Sequence, residues 1–282
     1  MNKKVIKIFD QEFAHESYCG SKIGKNESKN IIWDRSRQIN EGDIVFFTDS
    51  LLSMVDSVSV NCKKVAWLIE PPEVNSSSYD YIRNNWQKFD LVLTHQESLL
   101  CLSDRIKILP MWCSWVSPQN QKITEKIKLI SIISSNKRDT IGQKLRHEII
   151  DAIKSDIDLD IFGGLTSGGG YKPIDDKSEG LSPYMFSIII ENVKSPYLFT
   201  EKIIDCLLTG TVPIYWGASK IGEFFNMKGF ITFNNLDDVQ NIVNEISEEK
   251  YKEMMPYLLE NFNTAKQYLT IEDYFYEKYI KN

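Results

Sequence analysis

The chain has 282 residues, 42% of them hydrophobic and 26% charged, with a formal net charge of −6. Length and composition are those of a globular protein with room for two ordinary domains or one large one. The acidic balance excludes a nucleic-acid binder that relies on a broad basic face, so any phosphate site must be a local cluster.

Short apolar runs alternate with helical patterns along the chain. Val5–Phe9, Ile44–Phe47, Val65–Ile69, Leu91–Thr94 and Ile106–Leu109 read as strands, with helical candidates at Tyr79–Lys88 and Glu97–Ser103. The polar stretch SPQNQKITEK (117–126) carries neither period and reads as a domain boundary. A second alternation follows: strand Leu129–Ser134, helix Ile141–Lys154, strand Leu159–Phe162, a glycine-rich loop over 163–173, then strand Phe186–Ile190. Thr200 is a good N-cap for a helix ending at Leu208, and Gly210 stands where a helix C-terminus favours a left-handed residue. Thr211–Trp216 and Phe230–Phe233 are further strands, and the last fifty residues look helical. The alternation predicts an α/β fold of two Rossmann-type domains with a cleft between them. The expected division is 1–120, 121–265 and a C-terminal helix, 266–282, that packs back on the first domain or on a partner.

The five cysteines (Cys19, Cys62, Cys101, Cys113, Cys206) are odd in number and form no CxxC pair, which fits a reducing compartment better than a disulfide framework or a zinc site. MNKKVIKIFD has no apolar run behind its lysines, and no stretch approaches the ~20 apolar residues of a membrane span. A cytoplasmic protein is expected.

In open parallel sheets ligands bind beyond the carboxyl ends of the strands, which shortens the list of candidate residues. Glu191 and Asn192 end SIIIEN, Glu70 ends KKVAWLIE ahead of Pro71, His95 ends FDLVLTH, and Lys137 and Arg138 follow LISIISS. Lys202 sits in the first turn of its helix, where a cation opposes the dipole unless an anion docks there. Arg146 could present its planar fork to a phosphate, whereas Lys137 and Arg138 are either phosphate contacts or solvated charges. Glu70 suits a general base if partial burial raises its pKa, and Glu73 is the more exposed alternative. Trp112 and Trp115 either stack on a ligand at the cleft or pack the core between domains. His15 is a further candidate acceptor contact or a surface histidine. Asp158 and Asp160 form a DxD, a common triplet here inside a strand-like run, and no metal site is expected.

Residues 184–217, YMFSIIIENVKSPYLFTEKIIDCLLTGTVPIYWG, resemble the donor-binding signature of the family-10 glycosyltransferases, the α1,3/4-fucosyltransferases. That signature runs Y-K-F, an apolar stretch, F-E-N, V-T-E-K, a helix and G-T-V-P-V-Y-W-G. SSNKRDTIGQKLR resembles the segment of the family that carries an arginine, and VAWLIEPPEV the one that carries its catalytic carboxylate. The resemblance implies a GT-B fold and an inverting transfer, with fucose from GDP-fucose moving to a glycan hydroxyl without a required metal. It implies Glu70 as the base, Arg146 and Lys202 on the diphosphate, and Glu201 on ribose or sugar hydroxyls. Met185, Leu198 and Phe199 depart from the signature, so another nucleotide sugar is an alternative donor. The rival readings are a different nucleotide-sugar transferase and a binding module without turnover.

Overall fold

The computed structural model describes residues 3–11, 26–163 and 171–281. His15, Cys19 and most of the glycine-rich loop lie outside these residues. Eleven strands among the described residues form two sheets in which every registered pair is parallel. The first sheet holds β1 (Lys4–Phe9), β2 (Ile31–Asp34), β3 (Ile44–Thr48), β4 (Lys63–Trp67), β5 (Leu91–Thr94) and β6 (Ile106–Ile108), in the order β2-β1-β3-β4-β5-β6. The second holds β7 (Lys128–Ser134), β8 (Leu159–Gly163), β9 (Tyr184–Ile190), β10 (Val212–Trp216) and β11 (Ile231–Thr232), in the order β11-β10-β9-β7-β8. Both orders reverse once, between β1 and β3 and between β7 and β9. Such switch points leave a crevice at the carboxyl edge of a sheet.

Helices α1 (Ser76–Asn85), α2 (Ile141–Ile153), α3 (Glu201–Leu208), α4 (Leu236–Glu245), α5 (Glu248–Ala265) and α6 (Ile271–Phe275) complete the fold. Gly210, at φ 69°, takes the left-handed conformation anticipated after α3. Some elements differ from expectation. β2 is a short edge strand that four residues of IIWD did not announce, and Glu97–Leu102 coils as a 3-10 rather than an α-helix. β4 stops at Trp67, two residues before the apolar run ends. The backbone N–H groups of Ile69 and Glu70 donate to the carboxylate of Asp49 at 2.9 and 3.1 Å, so no ladder can continue through them.

The C-terminal segment returns to the first sheet. Phe275 lies 5.7, 5.0 and 5.8 Å from the rings of Trp33, Phe46 and Trp67. Asp273 accepts from Ser28, Lys29 and Asn30 just ahead of β2. Trp112 is fully buried, stacked on Phe199 at 5.4 Å and met edge-on by Tyr268 and Tyr274. It therefore packs the core between the two sheets and faces no cleft. Asp160, the second acid of the DxD, pairs with Lys128 and Lys172 and accepts from Tyr184.

His95 is a correction as well. It has no exposed surface, and its Nε2 lies 3.1 Å from Tyr79 Oη behind the first sheet's edge. Burial pushes its pKa down from 6.5 to about 4, so the ring stays neutral where an exposed histidine would charge. The unfolded chain then binds a proton that the folded chain refuses, and stability falls as pH drops from the unfolded value towards the folded one. Between about pH 7.5 and about pH 4 this contributes a loss of about 3 kcal/mol. Urea unfolding of His95→Gln across that range should lack this part of the slope; an unchanged slope would place the ring's titration elsewhere.

Candidate active site

The second sheet's switch point builds the floor of the site. Thr140 caps α2 in a reciprocal box with Gln143, and the Gly142 N–H donates to the Asn192 carbonyl at 2.9 Å. A Cβ on Gly142 would lie 1.8 Å from the Glu191 carbonyl oxygen, so only glycine lets this helix start rest on the end of β9. One turn on, Arg146 is buried and aimed at the same place. Its Nε and Nη2 donate to the Ile190 carbonyl at 3.1 and 2.6 Å, and Nη2 to Asn192 Oδ1 at 2.9 Å. These bonds use one edge of the guanidinium and leave Nη1 for a ligand. Burial lowers its pKa, against Glu191 and Glu201, yet among the described residues no carboxylate pairs with it directly. A buried cation held only by neutral acceptors is a ready anion site.

Glu191 is fully buried at the end of β9. Its carboxylate accepts from the Thr200 N–H at 2.9 Å and the Thr200 hydroxyl at 2.7 Å, and lies 3.4 Å from Lys202 Nζ. It fixes the entry to α3 and so holds Lys202 in place. Lys202 Nζ also lies 2.9 Å from Thr200 Oγ1 and 3.4 Å from Glu201 Oε1.

Lys177 is the residue that sequence reading missed. In the charged loop DDKSEG it looks solvated, but it is buried, with Nζ 3.0 Å from Glu201 Oε1 and 3.2 Å from Asp205 Oδ2. The same Nζ stands 4.2 Å from the Trp115 ring centroid. Burial opposes its charge, and Glu201 and Asp205 outweigh that and raise its pKa. Burial likewise opposes charge on Glu201, but Lys177 and Lys202 hold its carboxyl well below the usual range. Asp205 is pushed up to about 6 by burial, with Lys177 working against that and Glu201 adding to it. The signal that could have found Lys177 is the i, i+4 spacing of Glu201 and Asp205, which puts two acids on one helix face and calls for a cation.

Two adjoining cavities open above this floor. One, of 280 Å³, is lined by Ser135, Lys137, Gln143, Arg146, Lys177 and the end of β9. The other, of 250 Å³, adds Leu198 from the segment ahead of α3 and Glu70, Met111 and Cys113 from the first part of the chain. Trp115, Asn192, Glu201 and Lys202 line both. Between them the two cavities are lined by Glu70, Lys137, Arg146, Glu191, Asn192, Glu201, Lys202 and Trp115. Glu73 and Arg138 are exposed and line neither cavity, as expected of side chains beyond a turn. Of the three departures from the signature, Leu198 lines a cavity, whereas Phe199 is core and Met185 packs partly buried against it.

A model of glycosyltransferase family 10 (fucosyltransferase), C-terminal part, matches residues 123–275, more than half of the chain. The chain belongs to this family. An alpha-(1,3)-fucosyltransferase of Helicobacter pylori is 32% identical over 142 residues, a match that spans 50% of this chain and only 28% of that enzyme. The crystal structure of an α1,3-fucosyltransferase with GDP-fucose superposes over 99% of this chain and 91% of its own, with a TM-score of 0.60 at 19% identity. A trehalose-6-phosphate synthase matches over 86% of this chain and 74% of its own, with a TM-score of 0.62 at 12% identity. The fold of this family-10 chain is GT-B, two parallel-sheet α/β domains. No helix among the described residues is long and apolar enough to cross a membrane.

Lys177→Met should leave buried Asp205 without its cation and Glu201 with Lys202 alone, and cost about 3–5 kcal/mol. Asp205, already pushed up by burial, would lose the cation that works against that rise, so the loss should grow as pH rises from about 5 to about 8. Denaturant unfolding at both pH values tests this; a small loss independent of pH would show that the charges are not paired as described.

Proposed function

We propose that this chain is an inverting glycosyltransferase that moves fucose from GDP-fucose to a hydroxyl of a glycan acceptor. Residues 121–265 hold the donor, residues 1–120 face the acceptor, and 266–282 join the C-terminus to the acceptor side. The observation that carries this reading is that Glu70 shares one cavity with Lys202, Glu201 and Asn192, although it comes from the opposite half of the chain. Family membership and the GDP-fucose in the crystal structure of a protein of the same fold support the choice of donor.

The donor's diphosphate lies against Arg146 Nη1, Lys202 Nζ and the first turn of α3. Glu201, held ionised by Lys177, accepts from hydroxyls of the ribose or the sugar. Glu70 takes the proton of the acceptor hydroxyl as that oxygen attacks the anomeric carbon. The new C–O bond forms on one face while the bond to the β-phosphate oxygen breaks on the other, and GDP leaves with the electron pair. Charge grows on the diphosphate in the transition state, and the two cations are placed to meet it. These side chains require no metal to balance that charge.

Leu198 favours a second reading of the donor. It presents a buried aliphatic wall where the family signature carries an aromatic, so another nucleotide sugar could be preferred.

Isothermal titration with GDP, GDP-fucose, UDP and UDP-glucose, with and without EDTA, separates these readings. GDP compounds should bind in EDTA and lose affinity in Lys202→Ala. In transfer assays on a panel of galactose- and N-acetylglucosamine-terminated oligosaccharides, Lys202→Ala should lower kcat by about 10²–10³. Glu70→Gln should lower it by about 10²–10⁴ while GDP still binds. A preference for UDP compounds would replace the donor, and full transfer by Glu70→Gln would reject the mechanism.

A further inference from the structure

Glu70 stands beyond the last paired residue of β4, in a segment with no regular structure. A base in such a place has no ladder to fix its backbone, and small shifts of a reacting group are costly to rate. Side chains take the ladder's place. Asp49, the first residue after β3, accepts the Ile69 N–H on Oδ1 and the Glu70 N–H on Oδ2, at 2.9 and 3.1 Å. From the other side, Tyr79 of α1 donates its hydroxyl to the Glu70 carbonyl at 2.7 Å. Both side chains are buried.

We infer that Asp49 and Tyr79 are positioning residues that clamp the Glu70 peptide from both faces and aim its carboxylate into the cleft. The inference rests on the reading of Glu70 as the base. Two details support it. Asp49 has φ 33°, a left-handed conformation that L side chains avoid and that persists where surrounding contacts over-determine it. The clamp also extends one link further. The single hydroxyl hydrogen of Tyr79 goes to Glu70, so the contact with His95 at 3.1 Å requires His95 Nε2 to be the donor. A neutral His95 protonated on Nε2 thus orients Tyr79, which orients Glu70. Tyr79 is held as a neutral phenol by burial, with Asp49, Glu73 and Glu70 acting in the same direction.

Asp49→Asn and Tyr79→Phe test the two jaws separately. Asparagine tolerates the left-handed backbone but offers one acceptor oxygen and an NH2 that opposes the second N–H. Phenylalanine keeps the ring and removes only the donor. Each variant is assayed with the oligosaccharide that gives turnover in the panel above, alongside GDP titration, thermal unfolding and amide hydrogen exchange. Each should lower kcat by about 10–100-fold with GDP affinity unchanged. The amides of Ile69 and Glu70 should exchange about tenfold faster or more while those of β9 and α3 do not change. Wild-type kcat in both variants, where Glu70→Gln has lost transfer, would overturn the inference. So would a fall in GDP affinity that tracks the thermal midpoint, which marks a general structural role. If Asp49→Asn does not fold, Tyr79→Phe alone decides. Full transfer by Glu70→Gln would remove the base, and the clamp's purpose with it.

Discussion

The buried ion cluster of Lys177, Glu201 and Asp205 is the contact on which the site depends. It joins three pieces of chain that are far apart in sequence. Lys177 comes from the loop ahead of β9, and the two acids come from one face of α3. Asp205 continues the cluster by accepting from Ser114 Oγ at 2.9 Å and from the N–H groups of Trp115 and Val116 at 2.8 and 3.3 Å. Those residues belong to the segment that crosses from the first sheet to the second, so the cleft's back wall hangs on a carboxylate of α3. Burying such a cluster is costly unless every charge is partnered, and here every charge is. The cost falls on residues that line the cavity, where a fixed arrangement of charge matters more than stability.

The same cluster sets the electrostatics of the floor. Lys202 is offset by Glu191 and Glu201, and Lys177 by Glu201 and Asp205, so the lysines do not add up to a large local positive field. Arg146 is the exception, buried against neutral acceptors. A chain of net charge −6 can therefore hold an anion site without a basic surface. Its cations are placed one by one against strand ends and a helix start, where the free backbone N–H groups add to their attraction for an anion.

Much of the second half was legible in the sequence because its elements follow from local side-chain patterns. The run from Tyr184 to Gly217 encodes a buried strand, a threonine cap, a helix and a second buried strand, and each is found close to where its pattern put it. Lys202 stood out because it opposes the helix dipole. What was not legible depends on long-range burial. A lysine in DDKSEG and a histidine after a strand look alike whether they face water or core, and only packing sends Lys177 to the cavity and His95 behind Tyr79. Trp112 and Trp115 lie three residues apart with similar local surroundings, yet one is core and the other lines the cleft.

The two halves hold their cleft-lining groups by different physics. In the second half, side-chain cations and acids fix one another, and that demands particular residue types at fixed spacing on a helix. In the first half, the segment that bears Glu70 is fixed through its backbone, by Asp49 on the N–H groups and Tyr79 on the carbonyl. A backbone clamp places no demand on the side chains of the residues it holds, only on the residues that do the holding. Those lie about twenty residues before Glu70 and nine after it, in elements with no motif of their own. This accounts for a carboxylate whose surroundings carry so little sequence signal while its main chain is fixed from both sides.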